Sequence, residues 1–260
     1  MSGAAALAGL GALRGGAGLV QVATPASVAD IVASHDPCYM AHPLPCDPET
    51  GQLSARAAQP LLALAQGASA VGVGPGLGQS AEAAEVVRLL TASAACPIVL
   101  DADALNVLGP WPGVGAMRRA PAILTPHPGE MARLTGRDTR AVQAGRMELA
   151  AEVSRREGCV VLLKGAGTIV TDGARAYVNA TGNPGMATGG CGDVLTGLIT
   201  ALLAQGMAAF DAACLGAFLH GLAGDLAARR YGEVSMTALD LARELPAAFQ
   251  AGNLGGGSPE

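Results

Sequence analysis

Asn183-Pro-Gly-Met-Ala-Thr-Gly-Gly-Cys-Gly-Asp193 runs directly into Val194-Leu-Thr-Gly-Leu-Ile-Thr-Ala-Leu-Leu203, and no other part of the chain constrains its architecture as tightly. Four glycines fall between positions 185 and 192, and a lone carboxylate follows where an apolar pattern begins. Val194, Leu195, Leu198, Ile199, Leu202 and Leu203 recur at steps of three and four, which predicts a helix with one apolar stripe starting near Gly192. The free N–H groups of its first turn then face the glycine loop. Residues without side chains let an anion approach the main chain, and the helix dipole adds about half a positive charge there, so loop and helix together make a phosphate cradle. Two roles fit Asp193. It either takes the proton of a substrate hydroxyl that attacks a phosphoryl group, or it simply favours the dipole from the first turn.

Working outward, short apolar runs at 19–23, 70–73, 98–100, 122–124 and 160–163 predict buried strands, with helical patterns between several of them, notably at 80–92 and 139–157. That alternation predicts an α/β fold: right-handed βαβ units around a mostly parallel sheet with helices on both faces. After Lys164 the rhythm changes. Runs at 168–171 and 175–178 flank Asp172-Gly173, a hairpin signal that gives the sheet an antiparallel edge. Beyond the glycine loop only helices are expected: the Asp193 helix, one over 211–229 and one over 237–248. Residues 1–14 read as an ordinary helix rather than a signal peptide, because no positive charge precedes the apolar part. Residues 1–251 are thus expected to form a single domain, and 252–260, which have little to bury, a disordered tail.

The 260 residues are 50% hydrophobic, enough for the core of one large domain. With a net charge of −5, only 16 Lys plus Arg, no basic run and 3% aromatics, the chain has neither the charge nor the stacking platforms for nucleic acid. Its six cysteines never approach CxxC spacing, so reduced thiols and a cytoplasmic location are the expectation. The apolar stretch at 198–204 in the Asp193 helix, broken by Thr200, is far short of the roughly 20 residues of a membrane span.

Ligands of open α/β sheets sit beyond the carboxyl ends of the strands, so the residues after each run carry the most information. Gly72-Val-Gly-Pro-Gly-Leu-Gly78 is neither a GxGxxG fingerprint nor a P-loop, and four alternate glycines suit a ligand pressed against main chain. Asp101-Ala-Asp-Ala-Leu-Asn106 offers two carboxylates and an amide; Asp101 or Asp103 either caps the next helical turn or contacts a magnesium–water shell. In Thr125-Pro-His-Pro-Gly-Glu130 two prolines hold His127 extended, with Pro128 and Glu130 suited to a first helical turn. Lys164-Gly-Ala-Gly-Thr168 ends a buried run, so its lysine must reach either water or an anion, and its glycines admit a nucleotide. Cys191 reads as a packed small residue, and His220 as core or interface.

Together, GPGLG at 74–78, DADALN at 101–106, TPHPGE at 125–130, KGAGT at 164–168 and NPGMATGGCGDVLTG at 183–197 closely resemble the ADP- or ATP-dependent NAD(P)H-hydrate dehydratase family of the ribokinase-like superfamily. The opening Gly3-Ala-Ala-Ala-Leu7 and Ala12-Leu-Arg-Gly-Gly-Ala-Gly-Leu-Val20 extend that resemblance over nearly the whole chain. It implies a repair hydro-lyase that consumes ADP or ATP, with Mg2+, to remove water from the S epimer of hydrated NADH or NADPH by phosphorylating the hydrate hydroxyl and eliminating phosphate. By the same resemblance Asp193 is the base. Lys164, Gly165, Ala166, Gly167, Thr168 and Gly192 hold the nucleotide; Ala4, Gly76, His127 and Asp193 hold the hydrate. Gly78, Asn106, Glu130 and Gly190 stand in support, and no metal ligand is assigned.

A separate epimerase is the implied functional partner, and a homo-oligomer the implied assembly. The family's usual serine is replaced by Cys191, a mild change. Relatives also begin some tens of residues earlier with a strand and a Gly-Gly-Ser turn, so one sheet neighbour is expected to lack its partner here. Two alternatives remain: a ribokinase-like kinase of a vitamin-precursor alcohol such as a thiazole or pyrimidine, and a non-catalytic nucleotide-binding subunit.

Overall fold

The computed structural model describes residues 1–118 and 120–252. In chain order its helices and strands are α1 (Ser2–Arg14), β1 (Gln21–Pro25), α2 (Ala29–Ala33), β2 (Met40–Leu44), α3 (Ala58–Gln66), β3 (Val71–Val73), α4 (Ala81–Ser93), β4 (Ile98–Leu100), α5 (Ala102–Leu108), α6 (Val114–Met117), β5 (Ala122–Leu124), α7 (Pro128–Thr135), α8 (Thr139–Ala144), α9 (Arg146–Glu157), β6 (Val160–Leu163), β7 (Ile169–Thr171), β8 (Ala176–Val178), α10 (Cys191–Ala204), α11 (Ala209–Tyr231) and α12 (Ala238–Gly252). Of the tail expected over 252–260, Gly252 ends α12 and the rest lies outside the described residues.

Strands β3, β4, β5 and β6 pair in sequential order and in parallel, and β7 and β8 follow antiparallel. A right-handed crossover repeated in one direction puts every connecting helix on the same face of the sheet. Alternate strand residues therefore enter two different cores. Ile98, Leu100, Leu124, Val161 and Leu163 pack under α4 to α9, while Val99, Ile123, Leu162 and Val170 face α10 to α12. The expected hairpin is present: Gly173 has φ +88°, and Asp172 Oδ1 accepts from the N–H groups of Ala174 and Arg175.

The strand expected at 19–23 is corrected by the structure. It begins two residues later, as β1, and pairs in parallel with β2 in a separate two-stranded sheet. Val20, Val22 and Thr24 are buried while Leu19 is 82% exposed, so this is a one-sided strand, whose alternation an apolar-run reading misplaces. The partner β2 was hidden by its own His42-Pro43. The helix expected over 139–157 is two helices, because Gly145 leaves helical geometry at φ −134°, ψ 50°. Helix α4 starts where Ser80 Oγ accepts from the Ala83 N–H at 3.1 Å. Among the described residues no helix is long and apolar enough to cross a membrane.

Candidate active site

The glycine loop meets α10 at Gly190, which adopts φ +96°, ψ −20°; a Cβ there would lie 2.5 Å from Leu7 Cδ1 of α1. The left-handed conformation there favours glycine, and any side chain would have to displace Leu7. No side chain caps α10, so the N–H groups of Cys191, Gly192 and Asp193 remain for a ligand. Helix α11 holds the loop in place. Asp225 accepts from the Gly182 N–H and from Asn183 Nδ2, both at 3.0 Å, and Thr181 Oγ1 donates to the Phe218 carbonyl at 2.9 Å. Buried His220 brings Nε2 to 2.8 Å from the Cys191 carbonyl. Burial pushes its pKa down to about 4, so the neutral ring donates this bond, and His220 is the core residue anticipated. Cys191 is buried too, which lifts its thiol to about 11 and makes it a packed, unreactive residue.

Beyond the strand ends a chain of charges converges on the first turn of α10. Asp101, only 1% exposed, stands at the N-cap of α5 yet makes no cap bond. Its Oδ1 lies 2.7 Å from Lys164 Nζ, and its Oδ2 accepts from Thr196 Oγ1 at 2.7 Å. The capping role thus falls to no side chain here. Lys164 also stands 3.7 Å from Glu130 Oε2, with 19% of its side chain exposed. Its ammonium group is engaged by the protein's own carboxylates. Burial alone would lower the Lys164 pKa; Asp101 and Glu130 outweigh that and hold it above the usual lysine value.

Asp193 makes no hydrogen bond to protein through its carboxylate among the described residues. Burial, and next the charge of Asp101, push its pKa up to about 6 against the opposing pull of Lys164.

The other motifs serve this cluster in different ways. Asp103 Oδ2 accepts from the Gly78 N–H at 2.8 Å and its Oδ1 from Gln79 Nε2 at 2.9 Å, which ties the end of β4 to the glycine turn after β3. A Cβ on Gly74 would strike the Asp101 carbonyl, so glycine lets the two turns touch. Ala4 and Gly76 come together: a Cβ added at Gly76 would lie 3.0 Å from that of Ala4. His127 caps α7, its Nδ1 accepting from Gly129 and Glu130 while Glu130 Oε2 accepts from the His127 N–H at 2.8 Å. It is a structural residue, yet 49% of its side chain stays open to the cleft rim.

Within KGAGT, Thr168 Oγ1 closes the turn on the Gly165 carbonyl at 2.9 Å, and Gly165, Ala166 and Gly167 are exposed. Asn106 is drawn aside, accepting from Arg133 Nε at 2.7 Å.

Three participants escaped the sequence reading. Thr196 lies one turn after Asp193, a spacing that could have revealed it. Asp225 was masked by an otherwise apolar helix. Arg146 donates to the Leu163 and Gly167 carbonyls and so backs the KGAGT turn, a long-range contact with no local signature.

Among the described residues no group of three or more His, Cys, Asp or Glu side chains could hold a metal ion. The oxygens of Asp101 and Asp103 are already engaged. A magnesium ion here would therefore belong with nucleotide phosphates rather than with a protein cage.

Comparison with known proteins identifies the family and the fold. A family model described as NAD(P)H-hydrate dehydratase matches residues 1–247. A bifunctional NAD(P)H-hydrate repair enzyme of Moorella thermoacetica is 46% identical over 248 residues, covering 95% of this chain and 46% of that protein. An ADP-dependent (S)-NAD(P)H-hydrate dehydratase of Xanthomonas campestris is 39% identical over 247 residues, covering 94% of this chain and 82% of that protein. The crystal structure of the ADP/ATP-dependent NAD(P)H-hydrate dehydratase of Bacillus subtilis, co-crystallised with ATP and Mg2+, superposes with a TM-score of 0.79 at 31% identity, covering 96% of this chain and 85% of that one. The chain spans about half the length of the first of these relatives. The fold so matched is the ribokinase-like α/β fold.

Proposed function

The chain belongs to the NAD(P)H-hydrate dehydratase family, and from that premise we propose that it is a hydro-lyase that uses ADP or ATP to convert the S epimer of hydrated NADH or NADPH back to the intact coenzyme. Asp193 carries the reading. It is a carboxylate without a hydrogen-bond partner among the described residues, set in the first turn of an uncapped helix, with a pKa raised to about 6, so it is ionised yet basic at neutral pH. In the first step the hydrate hydroxyl gives its proton to Asp193 while its oxygen attacks the terminal phosphorus, and the bond from that phosphorus to the rest of the nucleotide breaks. The free N–H groups of Cys191, Gly192 and Asp193 stabilise charge on the transferring phosphoryl. In the second step phosphate leaves with the electrons of the carbon–oxygen bond, the neighbouring ring carbon gives its proton to the departing phosphate, and the electrons of that carbon–hydrogen bond restore the double bond. Phosphate is a far better leaving group than hydroxide, which is why a nucleotide is spent on a dehydration.

The exposed Gly165, Ala166 and Gly167, together with Thr168 and Gly192, would bind the nucleotide, and Lys164 would lend charge from behind. Ala4, Gly76 and His127 would flank the hydrate. Magnesium, when bound, adds charge neutralisation of the phosphates. The six free cysteines suit a reducing compartment such as the cytoplasm, and an epimerase acting on the R hydrate would feed this site.

The test is recovery of the reduced-nicotinamide absorbance from NADPH hydrate supplied with magnesium and ADP or ATP. Recovery supports the proposal; no recovery, with a thiazole or pyrimidine alcohol phosphorylated instead, replaces it with a kinase. The Asp193→Asn variant should lose at least about 10²-fold in turnover while binding nucleotide normally. Unchanged turnover removes Asp193 from its role.

A further inference from the structure

Asp101 belongs to no binding surface, yet it joins the three elements that surround Asp193. From the end of β4 one of its oxygens holds Lys164 at the end of β6, and the other accepts from Thr196 on α10, each at 2.7 Å. Thr196 Oγ1 also lies 3.1 Å from the Gly192 carbonyl, within the cradle itself. Lys164 approaches the same turn closely enough that a Cβ on Gly192 would sit 3.3 Å from its Nζ. A buried ion pair adds little stability over apolar packing of the same volume, so stability alone does not account for this arrangement.

We propose that Asp101 is a positioning residue of the reaction: through Lys164 and Thr196 it fixes the first turn of α10, and with it the Asp193 carboxylate and the cradle N–H groups, against the end of β6. The role rests on the reading of Asp193 as base, and Asp101, 1% exposed, acts through its two partners. Four charged groups face Asp193: Asp101 from β4, Asp103 from α5, Glu130 from α7 and Lys164 from β6. Neutralising Asp101 withdraws a repelling charge and leaves Lys164 less compensated. Both effects favour ionised Asp193, so its titration moves below about 6.

Two sets of variants test this. Asp101→Asn keeps the shape and the Thr196 contact but removes the charge. Its ADP affinity should stay near that of the unaltered protein, its turnover should fall roughly tenfold or more, as for a misplaced reacting group, and Asp193 should titrate at lower pH. The titration is followed by carboxyl-carbon NMR of the full chain, assigned with Asp193→Asn. Thr196→Val cuts the link to α10 at constant volume and should lower kcat with little change in the KM for nucleotide; Thr196→Ser should restore kcat. Should Asp101→Asn fail to fold, the Thr196 pair decides. An Asp193 titration unmoved by Asp101→Asn, or a Thr196→Ser variant as impaired as Thr196→Val, overturns the proposal. The NMR midpoint needs no turnover. A chain that dehydrates no hydrate therefore defeats the proposed function while the positioning role is still judged.

Discussion

Asp193 and Glu130 are two carboxylates of one cleft, driven apart by their surroundings. Burial raises Asp193, and the negative charge of Asp101 adds to it. Burial acts on Glu130 in the same sense, but the hydrogen bond from His127 and the charge of Lys164 outweigh it and leave Glu130 below the ordinary carboxylate range. Glu130 stays an ionised counter-charge while Asp193 can take up and return a proton near neutrality. The pH profile of hydrate turnover should therefore carry an acid limb with its midpoint near 6, where Asp193 titrates. Below it, rate falls about tenfold per pH unit; above it, the loss of that proton has no further effect. A profile that stays flat down to pH 4.5 would show that another group accepts the proton.

At the scale of elements, the cradle owes its position to the crossing of α1 and α10. A Cβ on Gly197 would strike the Ala8 carbonyl, and one on Gly11 the Val194 carbonyl, so the two helices touch backbone to backbone. Glycine inside a helix is intrinsically about 1 kcal/mol worse than alanine, and at an open position Gly→Ala would stabilise. At Gly197 the sign reverses. The Gly197→Ala variant should be destabilised by about 1–3 kcal/mol through overpacking, seen as a Tm lower by about 2–4 °C per kcal/mol. A raised Tm would show that α1 does not lie against α10.

Across the whole molecule, two buried groups oppose each other in how stability follows pH. His220 is lowered from 6.5 to about 4, so between those values the unfolded chain holds the extra proton and stability rises with pH, by up to about 3 kcal/mol. Asp193 is raised from 3.8 to about 6, so over nearly the same window the folded chain holds the extra proton and stability falls with pH. Its share is about 2 kcal/mol once partial exposure is allowed for. The two slopes largely cancel. In Asp193→Asn the histidine slope is no longer opposed by that of Asp193, so the variant should gain stability between pH 4 and 6.5, measured by denaturant unfolding, and exceed the unaltered protein at pH 8. A base held in this way, as proposed for Asp193, costs the fold stability. Parallel pH curves for the two proteins would rule out the raised titration of Asp193.

The central strands, the antiparallel edge and the helix behind the glycine loop were legible because they depend on local periodicity and turn chemistry: the buried triplets at 98–100 and 122–124, Asp172-Gly173, and the apolar steps from Val194 to Leu203. The motifs after the strands were legible for the same reason, since a parallel sheet brings all its carboxyl ends to one rim. Which motif residue meets a ligand and which meets another motif was not. Lys164 turns to Asp101, Asp103 to Gly78, and Thr196 to Asp101, across 63, 25 and 95 residues of chain. Such pairings are fixed by the distances between folded elements, which no local pattern encodes. The sequence by itself determined the central strands, the glycine loop with its helix and the residue types gathered at the rim; only the tertiary structure decided the separate β1–β2 sheet and how the charges at the rim are partnered, because the energy of a buried charge depends on what surrounds it in space.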